Sequence, residues 1–416
     1  MKRNVGASPH DSMSNHKEPQ GGDRKSQMQR MHKRKALSRT TAAIMTAALV
    51  LGGGTIVVSS ASAASSSAVA KGIALAKSRL AAYTKLPTFK APGPAFNAKK
   101  VMANKIIFSI PVNSSDQFVQ TLEDGMAAAA KKVGFKFVDY QNSGSPAQWV
   151  TGMNEAISEH VSVIDLLAGI NPATLEPQIK AAKAAGIKVV SSDTYGIGQP
   201  SDPILSGTVN APYGQTAKLQ ADWMTVHSNG KGQILLIGSS DVAASPFGIA
   251  AEKAEFKQVC PNCKVYTIDV PVANWASTTQ TQVQAQLQAH PNLNYISPVY
   301  DSQSQFIIPA ITTANKVGKV HIVSYDGTPF VLGDMQTEKG SIVQMDVGED
   351  LEWVSLAIID NEMRIVGGLS PVANEGIPLY LWDIQNVKNA GTPPQNNKGY
   401  GAADLSGYYK LWGLTK

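Results

Sequence analysis

Cysteine is nearly absent: of 416 residues only Cys260 and Cys263, in the stretch CPNC, carry a thiol. A disulfide-scaffolded fold is thereby excluded. A metal site is also unsupported, because one Cys-x-x-Cys supplies too few ligands and the histidines beyond the leader, His160, His227, His290 and His321, are scattered. Charge is sparse as well, at 16% of residues, and the formal +6 is not spread along the chain. The first 63 residues hold ten Lys and Arg against three acids, which leaves 27 basic and 28 acidic residues for the rest. The basic balance belongs to the leader, so a nucleic-acid partner loses its electrostatic support. Catalytic signatures are missing too. There is no Gly-x-Ser-x-Gly elbow, no His-Glu-x-x-His, no Gly-x-x-x-x-Gly-Lys phosphate loop and no Gly-x-Gly-x-x-Gly after the first strand. No catalytic residue, metal or cofactor is assigned, and the expectation is a protein that is not an enzyme. A glycoside-acting enzyme needs only a carboxylate pair and is the enzyme alternative.

Residues 1–63 read as a leader with a secretory signal. Basic HKRKALSR precedes apolar AAIMTAALVLGGGTIVV, followed by the small-residue cleavage pattern Ala61-Ser62-Ala63. Gly52, Gly53 and Gly54 interrupt an apolar stretch already at the short limit for a membrane span. The exported chain is expected to begin at about Ala64, and with no cysteine near that point a lipid anchor is not indicated. In an exported protein Cys260 and Cys263 read as a local disulfide, tying the helix-like GIAAEKAEFKQV to the strand-like KVYTIDV.

Residues 64–103, rich in Ala, Ser, Lys and Pro, read as a linker arm with a short helix and the extended LPTFKAPGPAF. From Lys105 short apolar runs alternate with amphipathic stretches of helix length. KIIFSIPV is followed by DQFVQTLEDGMAAAAKKVG, in which Phe118, Leu122, Met126 and Ala130 recur at helical spacing. FKFVDYQ, VSVIDLLAG and IKVVSSDT continue the series, with Gly134 and Gly186 where helices should end. It restarts with GQILLIGS, KVYTIDV, LNYISPVYD, VHIVSYDG and GSIVQMDV. Such alternation implies an α/β fold of two doubly wound lobes with parallel sheets covered on both faces.

Loops leaving the C-terminal ends of parallel strands line the ligand crevice of such sheets. IVSYDGTP, from Ile322 to Pro329, ends a buried run in Asp326-Gly327, which taken alone is turn chemistry. Asp193 and Asp301 also follow buried strands, and three aspartates so placed suggest a polar cleft.

The chain resembles the sugar-type, ribose-binding-like periplasmic solute receptors of ABC importers, over roughly residues 104–390. NSSDQFVQTLEDG, AGINPATLEPQIKAAKAAGIKVVSSD, AQLQAHPNLNYISPVYD and VSYDGTP carry the resemblance. It implies the type 1 periplasmic binding protein fold: lobe one at 104–209 plus 345–376, lobe two at 210–344 plus 377–416, and a three-segment hinge near Val209–Pro212, Gln344–Asp346 and Gly376–Pro378. It also implies a monomer that captures a sugar or polyol and delivers it to a membrane permease; a receptor feeding a sensor is the other reading. The ligand-binding residues it implies are Asp116, Phe118, Asn171, Asp193, Trp275, Tyr300, Asp301, Asp326 and Gln344, with Tyr195 and Phe247 as further strand-end candidates. Two departures stand out. Thr194 and Glu252 occupy positions where the family often has arginine, which removes much hydrogen-bond donor capacity.

Overall fold

The computed structural model describes residues 59–414, so most of the leader lies outside the described residues and Ala61-Ser62-Ala63 falls in the first turn of a helix. Helices α1 (Ser59–Leu80) and α2 (Ala98–Val101) come first. The first lobe then runs β1 (Ile106–Pro111), α3 (Gln117–Val133), β2 (Lys136–Asp139), α4 (Pro146–Ser158), β3 (Val163–Leu167), α5 (Glu176–Ala184), β4 (Lys188–Gly196) and β5 (Gly207–Ala211). Its sheet has the order β2-β1-β3-β4-β5, parallel throughout. Helix α3 shows how local chemistry sets an element: Asp116 caps it by accepting from the Phe118 N–H, and Gly134 ends it in the left-handed region at φ 98°. Its face of Phe118, Leu122, Met126 and Ala130 is buried.

The second lobe contains α6 (Tyr213–His227), β6 (Gln233–Gly238), α7 (Ala244–Val259), β7 (Lys264–Asp269), α8 (Trp275–Ala289), β8 (Tyr295–Pro298), α9 (Ser304–Thr313), β9 (His321–Asp326), α10 (Pro329–Met335) and β10 (Val343–Glu349). After α11 (Leu351–Val366) the chain adds β11 (Leu379–Asp383), and α12 (Ala403–Leu411) follows. The sheet order is β11-β10-β9-β8-β6-β7, with β11 antiparallel to β10 and the other pairings parallel. Strands β5 (GTVNA) and β11 (LYLWD) lie outside the alternation seen in the sequence, because each is five residues long and is not followed by a helix of its own lobe.

The lobe boundaries differ from those the resemblance implies. Strand β10 stays paired with β9 as far as Gly348 opposite Asp326, so the second crossing falls at Glu349–Leu351 rather than at Gln344–Asp346. The C-terminal segment does not remain in lobe two: Tyr408, Leu411 and Trp412 join the core of lobe one. Nor are residues 64–103 a free linker. Helix α1 packs on α6 and α7, burying Ala76, while Gly72 lies so close to the Val259 backbone that a Cβ there would clash with the carbonyl. Arg79 on the same helix pairs with buried Glu255. The extended part lays Phe89 edge-on against Tyr408, with ring centroids 5.0 Å apart. Val69, Gly72, Ile73, Ala76 and Leu80 form the packed face of α1 at helical spacing, but most of that face is glycine and alanine or only half-buried, so its apolar stripe is weak. Two segments therefore bridge the lobes beyond the three crossings of the resemblance: one between Tyr83 and Phe89, the other between Tyr400 and Ala403.

Cys260 and Cys263 are disulfide-bonded and tie the end of α7 to β7. A bond closing so short a loop restricts the unfolded chain little, about 2 kcal/mol at most. Replacing both cysteines by serine is expected to lower stability by no more than that and to leave ligand affinity unchanged. Urea denaturation and calorimetric titration of the double variant would check this, and lost affinity in a folded variant would contradict a purely structural bond.

Candidate ligand-binding site

A cavity holding about 390 Å³ of non-atom space, part of it open to solvent, lies between the lobes. Lobe one contributes from the C-terminal ends of β1, β3 and β4, and lobe two from those of β6, β7, β8 and β9. This is where open parallel sheets bind ligands. Asp116, Phe118, Asp193, Trp275, Tyr300 and Asp326 all line it, as expected from the sequence.

Backbone conformation aims two of these carboxylates. The β4–β5 register shifts between Ser192 and Gly196, and Asp193 sits in that bulge at φ 53°. A bulge re-aims the side chain it carries. Asp193 is 4% exposed and its Oδ1 has no hydrogen-bond partner, while the Tyr213 hydroxyl donates to the Asp193 carbonyl at 3.2 Å. Asp326 takes φ 137°, where side chains are rarely found, and its Oδ2 accepts from the Asp301 N–H at 2.9 Å. Strain of this kind concentrates at functional sites. The next residue must be glycine, since a Cβ on Gly327 would stand 2.5 Å from the Tyr400 hydroxyl.

The third carboxylate joins the lobes. Asp116 Oδ1 accepts from Ser302 Oγ across the cleft at 2.7 Å. Gln199 likewise reaches the Ala243 carbonyl of the other lobe at 3.0 Å, so the lobes are in contact around the cavity. Aromatic rings form much of the remaining wall. Tyr213 meets Tyr300 edge-on at 6.0 Å, and Trp275 lies 6.1 Å from Tyr300. The Trp275 N–H is already occupied by Ser239 Oγ at 2.8 Å, so only its ring faces the ligand space.

Five expected positions do not line the cavity. Asn171 is exposed, and its side chain accepts from the Ala173 N–H to cap a single 3-10 turn. Tyr195 is buried two residues past Asp193 along β4, in the same irregularity between Ser192 and Gly196, and does not face the cavity. Phe247 packs its ring against Gly196 and Gly214. Asp301 turns inward to organise the loop after β9, accepting from the Ser324 and Thr328 hydroxyls, both at 2.5 Å, and from the Thr328 N–H. Gln344 lies near the start of β10, at the end of the sheet away from the cleft, because that strand runs on to Glu349. Ser302, next to Asp301, faces the cavity in its place, as does Tyr213 at the start of α6. Strand-end logic could have found Ser302, but no local pattern marks Tyr213. Neither family-arginine position reaches the cavity: Thr194 Oγ1 accepts from the Gly169 N–H, and Glu252 is buried beside Ser297.

Burial raises all three cavity carboxyls. Asp193 rises to about 7: burial raises it most, the neighbouring Tyr213 hydroxyl offsets part of this, and the Asp165 charge adds to the rise. Asp326 lies well above the usual range because of burial and then the charges of Asp301 and Glu349. Asp116 is raised by burial, partly offset by the bonds from Ser302 and Phe118. Among the described residues no lysine, arginine or histidine lines the cavity. Such a site accepts hydrogen bonds from hydroxyl or ammonium groups and disfavours phosphates and carboxylates, which would meet carboxylate oxygens with no cation between.

Beneath the cavity burial also raises Glu123 to about 8, Asp165 to about 7 and Glu252 to about 8. The folded protein therefore holds protons that the unfolded chain releases in the ordinary carboxylate range. Their stabilising contribution is complete below that range and is lost as pH rises through 7 and 8. The expected result is a ligand-free melting temperature about 5 °C or more higher at pH 6 than at pH 9, given the degrees that each kcal/mol moves. A flat or rising profile between those values would count against these carboxyls being buried.

Residues 106–349 match the periplasmic binding protein domain family, more than half of the chain, and the protein belongs to that family. Among solved structures the chain is similar to a sugar ABC transporter protein from Yersinia enterocolitica subsp. enterocolitica, at 20% identity and TM-score 0.64, covering 78% of this chain and 98% of that one. It is also similar to an ABC transporter solute-binding protein from Agrobacterium vitis with bound allitol, at 18% identity and TM-score 0.61, covering 70% and 99%. A third, from Bacillus halodurans with bound myo-inositol, matches at 18% identity and TM-score 0.59 over 70% and 99%. At these identities the likeness establishes the fold, two α/β lobes of the type 1 class. No curated protein sequence matches the chain.

Proposed function

We propose that this protein is the extracytoplasmic solute-binding component of an ABC importer, holding a polyhydroxy solute, a sugar or polyol, between its lobes. The observation that carries the reading is a cleft at the strand ends that combines three aspartates with aromatic rings and carries no cation. Carboxylates accept from hydroxyls, and ring faces pack on the C–H faces of sugars. The bound allitol and myo-inositol in two structural neighbours support it. Asp116, Asp193 and Asp326 accept from the ligand, Phe118, Trp275 and Tyr300 pack on it, and the loaded protein docks as a monomer on a membrane permease. Export removes the leader; cleavage after Ala63 leaves α1 beginning at Ala64 and keeps Ala76 and Arg79 in place. Calorimetric titration of the purified protein with allitol, myo-inositol, hexoses and pentoses tests the proposal. Saturable binding of at least one with a micromolar or tighter constant is the expected result, and none binding would defeat it.

A further inference from the structure

Hydrogen-bond capacity in the cavity is one-sided. A hydroxyl both donates and accepts, so a site shaped for a neutral polyol alone needs donors as well as acceptors. Here the lining side chains offer three carboxylates, and no lysine, arginine, asparagine or glutamine stands among them. The lining side-chain donors are three hydroxyls and the Trp275 N–H, and three of the four are already engaged: Ser302 donates to Asp116, Tyr213 to the Asp193 carbonyl and Trp275 to Ser239, which leaves the Tyr300 hydroxyl free among the described residues. Beyond residue 63 the chain has two arginines, and both are committed elsewhere, Arg79 to Glu255 and Arg364 to Asp360. Asp193 meanwhile carries a buried Oδ1 that makes no hydrogen bond among the described residues, the Tyr213 hydroxyl beside it donating to the Asp193 backbone carbonyl instead. A buried carboxylate without a partner is costly, and a cation or a proton relieves that cost.

Resting on the proposed solute-binding function, we infer that the preferred ligand is a polyhydroxy compound bearing a basic nitrogen, an amino sugar or amino polyol whose ammonium is held by Asp193. An ammonium is three donors with no acceptor, which complements an acceptor-rich cavity. The rings of Trp275, Tyr213 and Tyr300 add the attraction of π faces for a cation.

The test is a matched titration of the wild-type protein: 1-amino-1-deoxy-D-glucitol against D-glucitol, and an inosamine against myo-inositol. In at least one pair the amine binds ten times or more tighter than its hydroxyl counterpart, and in Asp193→Asn the preference falls to about twofold with the melting temperature kept. Equal or tighter binding by the neutral members overturns the inference and leaves the proposed function standing. Binding by neither member of any pair, nor by any sugar, overturns both. A preference that survives in Asp193→Asn overturns the assignment to that residue. The amine–hydroxyl comparison is made on unaltered protein and holds whether or not the variant folds.

Discussion

Asp326→Ala is expected to weaken ligand binding by about tenfold to a hundredfold. A ligand donor facing Asp326 favours its ionised form over the protonated form of the empty cavity; a hydrogen bond to such a charged group contributes roughly 1.5 to 3 kcal/mol, and about 1.4 kcal/mol is a factor of ten. Asp326 has a second task, since its Oδ2 accepts from the buried Asp301 N–H. Alanine would strand that donor and lower stability by about 1 to 3 kcal/mol as well. Asp326→Asn separates the two effects. Its carbonyl oxygen can still take the Asp301 N–H, so stability should be largely retained while affinity falls. Calorimetric titration with melting curves on both variants checks this; affinity unchanged in both would reduce Asp326 to a turn residue.

Arg364→Met is expected to give the largest loss of stability, about 3 to 5 kcal/mol, because removing one partner of a buried ion pair leaves the other charge uncompensated. Arg364 is 1% exposed; its Nε donates to Asp360 Oδ2 at 2.5 Å and its Nη1 to the Pro94 carbonyl at 3.1 Å. Its guanidinium also lies 5.0 Å from the Phe96 ring centroid. Asp360 Oδ1 in turn accepts from Trp412 Nε1 at 2.6 Å. One arginine thus joins α11, the extended arm and the C-terminal segment. Nearby Glu375 is raised to about 9 by burial and by Asp360, so it stays protonated at neutral pH and adds no second charge against Arg364. Urea denaturation followed by tryptophan fluorescence measures the loss, and a change under about 1 kcal/mol would show that the pair is dispensable.

Ligand-free opening should be affected by the same segments. With the arm and the C-terminal segment both bridging the lobes, the hinge has more connections than the three the family resemblance implies. Whatever the arm contributes is anchored by Phe89 on Tyr408 and by the Phe96 N–H on the Leu411 carbonyl.

What the sequence determined by itself was everything that repeats locally. The alternation of buried strand and amphipathic helix, the caps at Asp116 and Gly134, and the aspartates late in β4 and at the end of β9 are set by residues within a few positions of one another. Parallel sheets then place those strand ends on one edge, which is why Asp193 and Asp326 could be assigned to a cleft before the fold was seen. Tertiary structure decided the rest. Asp301 and Asp326 follow equivalent strands, yet one turns inward to Ser324 and Thr328 and the other lines the cavity, a choice made by the backbone at φ 137° and by residues far along the chain. The second crossing fell at Glu349 instead of Gln344 because β10 keeps pairing with β9, a contact that β10's own residues do not encode. Helix α1 and the C-terminal segment found their partners on surfaces distant in sequence, which the spacing of their own apolar residues does not name.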